Sequence, residues 1–141
     1  MVVFLGGTCS DSKWRERLIP MLDSEYINPV VKTWTDDDYK RELKHREEAD
    51  ICLYVITPKL KGFYSIAEAV QDSCKSPKKT IVCILRTDDD KRFNPIQWRS
   101  MKKVLALCKE SGAYTTTSLG FVADYINDCN RRWRKRNEEY R

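Results

Sequence analysis

The sequence predicts an α/β protein with a five-stranded, mainly parallel sheet and helices on both of its faces, which makes a three-layer sandwich. Short apolar runs rich in β-branched residues alternate with stretches of helical periodicity along the chain. The runs ICLYVIT and TIVCIL are apolar at successive positions, which is typical of parallel strands buried on both faces. A chain of 141 residues is long enough for one domain with one hydrophobic core.

The first half of the chain predicts two strands, each followed by a helix. The apolar run VVFL at 2–5 predicts the first strand, and the polar segment after it leads into a helix over about 12–23. YINPVV at 26–31 combines β-branched and aromatic residues and predicts the second strand. A helix over 36–48 follows, and the three aspartates that open it complement the positive end of the helix dipole.

The middle of the chain predicts the centre of the sheet. The most apolar run, DICLYVIT at 50–57, predicts the central strand, and the loop after it leads to a helix over about 66–76. KTIVCIL at 79–85 predicts the fourth strand, and a helix over about 95–110 follows. These alternating elements imply right-handed crossovers between parallel strands.

The end of the chain predicts one more strand and a long helix. AYTTT at 113–117 predicts a weaker strand, and the helix after it carries apolar residues on one face, namely Val122, Tyr125, Ile126, Cys129 and Trp133. We therefore predict one domain over 1–130 and a basic extension of the last helix over 131–141.

The start of the chain indicates the compartment. The segment MVVFLGG has no basic residue and is far shorter than the roughly 20 apolar residues that cross a bilayer. It resembles neither a secretory signal nor a membrane span, so we expect a cytoplasmic protein that does not contact a membrane. The six cysteines include no paired C-x-x-C spacing, and we expect reduced thiols and no metal site.

Most of the net charge of +5 lies in the last twelve residues, NRRWRKRNEEYR, which hold six basic and two acidic residues. One interpretation is a solvated helix end whose cations suit the negative end of the helix dipole. The other is a weak contact with nucleic acid. The cations concerned are Arg131, Arg132, Arg134, Lys135 and Arg136.

The loops that follow the strands define where a ligand should bind. Right-handed crossovers between parallel strands bring every strand-to-helix loop to the carboxyl edge of the sheet, which is where ligands bind in such folds. Four loops meet this condition, at 6–15, 32–38, 58–65 and 86–94. We expect the functional site at this edge.

The first of these loops has the features of a sugar or phosphate site. Gly6 and Gly7 let a ligand approach the backbone N–H groups that precede a helix N-terminus. Thr8 and Ser10 add hydroxyl groups, and Arg15 adds a positive charge that favours a phosphate. Neither a Walker pattern nor G-x-G-x-x-G is present, which argues against NTP hydrolysis and dinucleotide binding.

Aromatic and acidic residues near these loops are further candidates for the site. Trp14 and Trp34 can stack on a base, although tryptophans more often pack into the core. Carboxylates in a first helical turn need no role beyond the dipole, so we expect at most one of the three aspartates at 36–38 to enter the site, with Asp36 and Asp38 as candidates. The aspartates at 88–90 are interpreted as a solvated loop without the spacing of a calcium site.

Glu68 has two interpretations. It follows Ser65 by three residues, and the spacing S-x-x-E is that of a capping box. Alternatively it is a catalytic carboxylate, because it lies in the first turn of the helix after the central strand, where the dipole favours the ionised form that a nucleophile needs. Tyr64 and Ser65 lie directly before it and are expected to border the same cleft. The only histidine, His45, lies in a highly charged stretch, which favours carboxylate chemistry.

Four separated segments resemble, in order and spacing, the nucleoside 2-deoxyribosyltransferase-like proteins: VFLGGTCSDSKWRERLIPML, INPVVKTW, ADICLYVITPKLKGFYSIAEAVQDS and KTIVCIL. The resemblance covers about residues 2–110 and implies a flavodoxin-like (Rossmann-like) fold. It also implies transfer of a 2-deoxyribosyl group between nucleobases, with Glu68 as the nucleophile, net retention and neither metal nor cofactor.

The same resemblance implies a homo-oligomer, a dimer or larger, with shared active sites. Related proteins complete each site with an asparagine, and a hydrophobic residue two positions on, from a neighbouring subunit. The segment FNPIQW is similar to that region, and Asn94 and Ile96 take those two positions.

Two positions differ from the pattern that the resemblance implies. Phe4 stands where a tyrosine near the end of the first strand orients the nucleophile, and Gly62 stands where an aspartate contacts and protonates the base. A replacement acid would come from the aspartates at 36–38.

Three functions therefore stay open from the sequence. The first is a deoxyribosyltransferase that acts on deoxynucleosides, and the second is a hydrolase of the same fold that cleaves deoxynucleoside 5'-monophosphates. The third is a non-catalytic protein that binds nucleotides or nucleic acid. The sequence leaves undetermined the base and sugar specificity, the need for a 5'-phosphate and the size of the oligomer.

Overall fold

The fold is built on a central sheet of five parallel strands, as predicted. The computed structural model describes residues 1–31 and 33–141, so Lys32, the first residue of the predicted loop 32–38, lies outside the described residues. The strands of the central sheet are β1 (Val2–Gly7), β2 (Glu25–Ile27), β3 (Ile51–Ile56), β4 (Thr80–Ile84) and β7 (Tyr114–Thr116). Their spatial order is β2-β1-β3-β4-β7, which is the flavodoxin-like order with its switch point between β1 and β3.

Five helices cover the sheet. They are α1 (Trp14–Leu18), α2 (Asp36–Glu48), α3 (Tyr64–Lys75), α4 (Pro95–Glu110) and α5 (Leu119–Glu139). α1 and α5 pack on one face of the sheet, against a cluster that contains Leu5, Leu53 and Ile126. α3 and α4 pack on the other face, against a cluster that contains Tyr54 and Ile84. Adjacent residues of the inner strands point to opposite clusters, which is why these strands are apolar at every position.

Two predicted elements are shorter than their patterns indicate. The predicted helix at 12–23 is the single α-helical stretch α1 followed by a 3₁₀ turn at Ile19–Met21. Pro20 removes a backbone donor there, which disfavours continuation of the α-helix. β2 ends at Ile27 instead of residue 31, because Pro29 cannot donate to a sheet ladder.

A small hairpin interrupts the segment that was predicted as a solvated loop. The strands β5 (Thr87–Asp88) and β6 (Lys91–Arg92) pair antiparallel, with Asp89 in the left-handed region at a φ of 52°. Asp88 is 1% exposed and accepts a hydrogen bond of 2.5 Å from the Ser12 hydroxyl. The prediction that Asp88 is solvated was therefore wrong: the hairpin turns this carboxylate inward to hold the first loop.

Two further features concern the helices and the cysteines. Within 1–31 and 33–141, no helix is both long and apolar enough to cross a membrane. The six cysteines are all free thiols. The predicted boundary at residue 131 falls inside α5, which continues to Glu139.

Candidate active site

A cavity of about 530 Å³ opens at the carboxyl edge of the sheet, where the strand order reverses. This volume is within the range of about 300–1,000 Å³ that is usual for small-molecule sites. The loop after β1, the segment before α2, the exposed side of α2 and the start of α3 form its walls. The lining residues are Gly6, Gly7, Thr8, Cys9, Ser10, Arg15, Pro29, Trp34, Tyr39, Glu42, Leu60, Lys61, Gly62, Tyr64, Ser65 and Glu68.

The first loop turns sharply at Gly7 and exposes its backbone to the cavity. Gly7 has a φ of 118°, and a Cβ at this position would lie 2.1 Å from the carbonyl oxygen of Val55. Only glycine therefore lets β1 pass this close to the end of β3. The Thr8 amide continues the ladder by donating to the same Val55 oxygen at 2.9 Å, and the Thr8 hydroxyl accepts from the amide of Thr57 at 2.9 Å.

Two side chains of α1 hold this loop from behind. The indole Nε1 of Trp14 and the Nη1 of Arg15 both donate to the carbonyl oxygen of Thr8, each at 2.8 Å. Arg15 also donates to the carbonyl oxygen of Leu5 through Nε at 3.0 Å and Nη2 at 2.8 Å. Arg15 reaches the cavity wall, but backbone carbonyls already occupy its guanidinium, so its main role is to fix the loop.

Glu68 does not form the capping box that its spacing indicates. The N-cap of α3 is Phe63, with no side-chain hydrogen bond, and Ser65 already lies inside the first turn. The Glu68 side chain lines the cavity although the residue is only 6% exposed. Of the two interpretations that the sequence left open, the geometry fits a carboxylate that faces the cleft.

Glu68 forms an ion pair with Arg46 across the groove between α3 and α2. Nη1 of Arg46 lies 2.8 Å from Oε2 of Glu68, and both side chains are nearly buried. The geometry does not meet the criteria of a hydrogen bond, and Oε2 has no hydrogen-bond partner among the described residues. The ion pair with Arg46 is therefore the interaction that compensates the burial of this oxygen.

Arg46 is the centre of a buried network that fixes this ion pair. Its Nε donates to the hydroxyl of Tyr54 at 2.8 Å, and its Nη2 donates to Oδ1 of Asp72 at 3.0 Å. The Tyr54 hydroxyl in turn donates to Oδ2 of Asp72 in a short hydrogen bond. Burial alone would lower the pKa of Arg46, but the surrounding Tyr54, Glu68 and Asp72 outweigh it and raise that pKa, so the guanidinium stays charged.

A second carboxylate, Glu42, lies beside Glu68 on the cavity wall. Burial first, and then the charge of Glu42, raise the pKa of Glu68 to about 8, although Arg46 acts in the opposite direction. Two carboxylates in one poorly solvated site cannot easily ionise together, so such a pair retains a proton near neutral pH.

Exposed aromatic rings border the same cavity. Trp34 is 53% exposed, and the hydroxyl groups of Tyr39 and Tyr64 lie 3.5 Å apart across the opening. Flat rings with one free face can stack on a planar base. The cavity is therefore lined both by aromatic rings on which a base could stack and by carboxylates.

The comparisons with known proteins assign the chain to a family. The family model described as "Nucleoside 2-deoxyribosyltransferase like" matches residues 1–87, which include both carboxylates of the cavity. The chain belongs to this family. No curated protein matches the sequence. The family implies deoxyribosyl transfer or a related glycosidase activity, with nucleosides and nucleobases as substrates.

Two of the predicted site residues, Phe4 and Trp14, do not line the cavity. Phe4 is fully buried and packs edge-on against Tyr54, so the family's tyrosine position is here part of the core. Trp14 is also fully buried, which agrees with the interpretation of tryptophan as a core residue. Trp34, by contrast, lines the cavity.

The predicted acids and the predicted subunit contacts also lie outside the cavity. Asp36 is exposed at the start of α2, and Asp38 forms a capping box with Thr35 instead of facing the site. Asn94 caps α4 through a similar exchange with Gln97, and Ile96 is 75% exposed. Both lie beyond the segment that the family model matches.

Sequence reasoning did not single out Glu42, Arg46, Tyr54 and Asp72. A signal existed in the spacing: Glu42 and Arg46 on α2, and Glu68 and Asp72 on α3, are each four residues apart and so share one helix face. Pairs of this kind usually stabilise a solvated helix surface, and only the packing of α2 against α3 shows that these two faces meet.

A second cavity, of about 720 Å³, lies at the opposite, amino edge of the sheet. Four cations line it, Lys78, Arg132, Lys135 and Arg136, together with the indole of Trp133. Among these cations, Arg132 pairs with Asp128 at 2.9 Å. Two further arginines of the tail also have partners within the protein. Arg131 pairs with Asp128 at 3.2 Å, and Arg134 contacts the carbonyl oxygen of Asp23 at 3.4 Å.

Proposed function

We propose that the protein transfers a 2-deoxyribosyl group from one nucleobase to another through an ester with Glu68. The observation that carries this proposal is the placement of Glu68. Its carboxylate is nearly buried, paired with a fixed guanidinium, free of a capping role and aimed into a cavity at the switch point. Family membership supports the substrate class, and the geometry supports Glu68 as the nucleophile.

The reaction is a double displacement. An oxygen of Glu68 attacks the anomeric carbon of the donor as the first base leaves, which gives a covalent glycosyl ester with inverted configuration. A second base then attacks the same carbon and displaces Glu68, so the overall configuration is retained. Without a 2-hydroxyl group the oxocarbenium-like transition state forms more easily, because the sugar carries one electron-withdrawing group fewer.

The charges around the cavity favour unphosphorylated deoxynucleosides over 5'-monophosphates. Arg15 is occupied by the carbonyls of the first loop, and Lys59 is held by Asp89 at 2.6 Å. Lys61 is the remaining lysine or arginine on the described cavity wall, and it is exposed and 3.6 Å from Asp11. Little positive charge at the cavity is therefore free to bind a phosphate.

A transfer assay tests the proposal. The protein is incubated with 2'-deoxyinosine and free adenine, and we expect 2'-deoxyadenosine and hypoxanthine as products. Glu68→Gln should abolish this activity, and Glu47→Gln, an exposed glutamate on α2, serves as the matched control. Mass spectrometry of the wild-type protein with donor alone should show a deoxyribosyl adduct on the peptide that contains Glu68.

The same assay distinguishes the alternatives. Release of free 2-deoxyribose without deoxyadenosine would identify a hydrolase, and faster cleavage of 2'-deoxyinosine 5'-monophosphate than of deoxyinosine would identify a monophosphate glycosidase. An unchanged mixture with both donors would contradict the enzymatic proposal.

The proposal includes a homo-oligomer in which Asn94 and Ile96 reach a neighbouring site. Ile96 is 75% exposed at the start of α4, so its side chain is accessible to a neighbouring subunit. Asn94, beside it, is exposed and thus accessible to a second copy.

The amino-edge cavity favours a second candidate function, a contact with nucleic acid. Its four cations surround a partly buried tryptophan, and phosphates with an unstacked base are the ligand that complements such a surface. Filter binding of a single-stranded oligonucleotide at several salt concentrations tests this. We expect affinity to fall steeply with salt, and Lys78, Lys135 and Arg136 replaced together by alanine should flatten that slope. A salt-independent affinity, or none, would contradict the contact.

A further inference from the structure

We propose that Lys59 is a positioning residue, which holds the first loop (6–15) and the third loop (58–65) of the carboxyl edge at the separation that the substrate needs. The inference rests on the proposed transfer reaction, because it gives Lys59 a part in binding the nucleoside at the same cavity. Lys59 does not line the cavity and acts through loop residues that do.

Lys59 connects three segments of the carboxyl edge. It lies in the third loop, and its Nζ donates to the carbonyl oxygen of Asp11 in the first loop at 3.2 Å. The same Nζ donates to Oδ2 of Asp89 in the hairpin at 2.6 Å. The Lys59 side chain is 13% exposed, so most of it is shielded from water. One ammonium group thus joins the first loop, the third loop and the hairpin, and we call this contact the Lys59 bridge.

The two residues that Lys59 contacts share an unusual backbone conformation. Asp11 has a φ of 55° and Asp89 a φ of 52°, and these are the two described non-glycine residues whose φ is positive. A side chain makes this conformation uncommon, and it persists where the surrounding contacts impose it. We therefore expect the Lys59 bridge to hold both turns in place.

The hairpin holds the first loop at a second point that does not involve Lys59. The Ser12 hydroxyl donates to Oδ2 of Asp88 at 2.5 Å, and the Asp88 side chain is fully buried. Arg17 lies 3.5 Å from Asp88 and 3.6 Å from Asp89. The hairpin therefore stays attached to the first loop without Lys59, and the Lys59 bridge adds the connection to the third loop.

Both loops line the cavity at residues directly next to the Lys59 bridge. Ser10 precedes Asp11, Leu60 follows Lys59, and both Ser10 and Leu60 line the cavity. The hydrogen bond from the Thr57 amide to the Thr8 hydroxyl joins the two loops only where they leave the sheet. Farther from the sheet, the Lys59 bridge sets the distance between the loops and so the width of the cavity on this side.

The Lys59 bridge is an ion pair near neutral pH. The hydrogen bond between the two side chains is the main cause that raises the pKa of Lys59 and lowers the pKa of Asp89, so both groups stay charged. A hydrogen bond between charged partners is roughly twice as strong as one between neutral groups. Replacement of either partner by a neutral side chain should therefore release the third loop.

The variant Lys59→Met separates substrate binding from the chemical step. The Lys59 ammonium bonds to Asp11 and Asp89 and not to Glu68 or Arg46, so the reacting carboxylate keeps its surroundings, whereas the nucleoside must order two loosened loops when it binds. We expect the KM for 2'-deoxyinosine to rise at least about tenfold and kcat to change by less than about threefold. Lys59→Arg retains the charge and several donors and should recover most of the loss in KM. A lower kcat with an unchanged KM would overturn the proposal.

A variant of the partner residue identifies the ion pair as the cause. Asp89→Asn removes the charge but keeps a residue type that tolerates a positive φ, and it should raise KM to a similar extent. The double variant Lys59→Met with Asp89→Asn should raise KM no more than either single change, because both remove the same bridge. Lys91→Met, which changes an exposed lysine of the hairpin, is the control and should match wild type. Effects on KM that multiply in the double variant, or an equal rise in Lys91→Met, would contradict a specific bridge.

Amide hydrogen exchange without substrate keeps the test independent of the transfer assay. We expect the amides of 9–12 and 60–63 to exchange at least about tenfold faster in Lys59→Met than in wild type, while the amides of β3 and β4 keep their rates and show that the variant is folded. Unchanged exchange in both loops would overturn the Lys59 bridge. If the loops exchange faster but wild type transfers no deoxyribose, the proposed function fails and the role of Lys59 in substrate binding fails with it, but the bridge stands.

Discussion

At the scale of single residues, surroundings decide what each carboxylate does. Glu68 and Asp72 lie one turn apart on α3 and both contact Arg46. Asp72 also accepts from the Tyr54 hydroxyl and is thereby committed to the network, whereas Oε2 of Glu68 is left without a hydrogen bond among the described residues. The same functional group, a carboxylate, is therefore bound within the network at Asp72 and faces the cavity at Glu68.

Glu68 should destabilise the folded protein at high pH. Its pKa is raised from the ordinary value of 4.5 to about 8, so the folded state binds this proton more tightly than the unfolded chain does. Protonation of Glu68 stabilises the folded state fully at pH values below the pKa that Glu68 has in the unfolded chain. This stabilisation is lost as the pH rises through the pKa that Glu68 has in the folded protein. The free energy of unfolding of Glu68→Gln should therefore exceed that of wild type by at least about 1 kcal/mol at pH 8.5. It should also depend less on pH than the wild-type value does.

Urea denaturation from pH 5 to pH 8.5 measures this difference. Glu47→Gln, which changes an exposed glutamate, should show the same dependence of the free energy of unfolding on pH as the wild type. Parallel curves for Glu68→Gln and wild type would show that the pKa of Glu68 is not raised.

Arg46 should be far more important for stability than Arg41, the other arginine of α2. Arg46→Met leaves Glu68 and Asp72 buried without their cation, and removal of one partner of a buried ion pair typically costs about 3–5 kcal/mol. Arg41→Met removes a pair with Asp38 whose arginine is 59% exposed, and should cost less than about 1 kcal/mol. Free energies of unfolding from urea titrations measure both, and similar losses in the two variants would contradict the central role of Arg46.

At the scale of secondary-structure elements, short α1 serves the loop before it. Trp14 and Arg15 of α1 donate four hydrogen bonds to the backbone, and all four go to carbonyl oxygens of β1 or of the loop after it. Trp14 and Arg15 thus fix the glycine turn of the first loop by binding its backbone carbonyls. α2 and α3 contribute to the site differently. Each helix carries two charged residues that are four positions apart, and Arg46 of α2 pairs with Glu68 and Asp72 of α3.

Arg15→Lys should loosen this loop. Lysine cannot span both the Leu5 and the Thr8 carbonyls with a rigid fork, so we expect a loss of about 1–3 kcal/mol in stability. Amide hydrogen exchange at Thr8 and Thr57 should become faster, because these amides bond across the turn. Arg17→Lys is the control, since the Arg17 side chain is 41% exposed and its ion pairs are 3.5 and 3.6 Å long. Unchanged exchange in Arg15→Lys would contradict the role of α1.

At the scale of the whole molecule, the strand order separates two kinds of surface. The switch between β1 and β3 places the acidic, aromatic cavity at the carboxyl edge, and the amino ends of β1, β3 and β4 border the basic cavity. The two cavities share no lining residue. Chemistry on a nucleoside and contact with a polyanion can thus occur on one chain without competition.

The proposed sharing of sites between subunits predicts complementation between inactive variants. Asn94→Ala and Glu68→Gln should each be inactive alone, but a hybrid dimer contains one site with both residues intact. Mixing them under conditions of subunit exchange should restore about a quarter of wild-type transfer activity, since half of the dimers are hybrids with one working site of two. A mixture of Glu68→Gln with Glu68→Ala is the control, and dimers without restored activity would contradict the sharing.

The order of the elements and the place of the site follow from the sequence alone. A strand that is apolar at successive positions, such as 50–57, buries all of its side chains only in a sheet that is covered on both faces. Parallel strands joined by crossover helices bring their loops to one edge of that sheet. For these reasons the fold, the cavity's edge and the position of Glu68 in the third loop's helix were predictable. The hairpin at Thr87–Asp88 and Lys91–Arg92 was not, because strands of two residues carry no periodic signal.

The tertiary structure alone decided which residues accompany Glu68. Glu42 and Arg46 have the sequence pattern of a solvated helix face, and their burial depends on how α2 packs against α3 and β3. Local patterns report on a residue's own helix or strand, whereas an ion pair between helices depends on contacts between residues distant in the chain. The sequence therefore determined the place of Glu68, and the packing determined the charges that surround its carboxyl group.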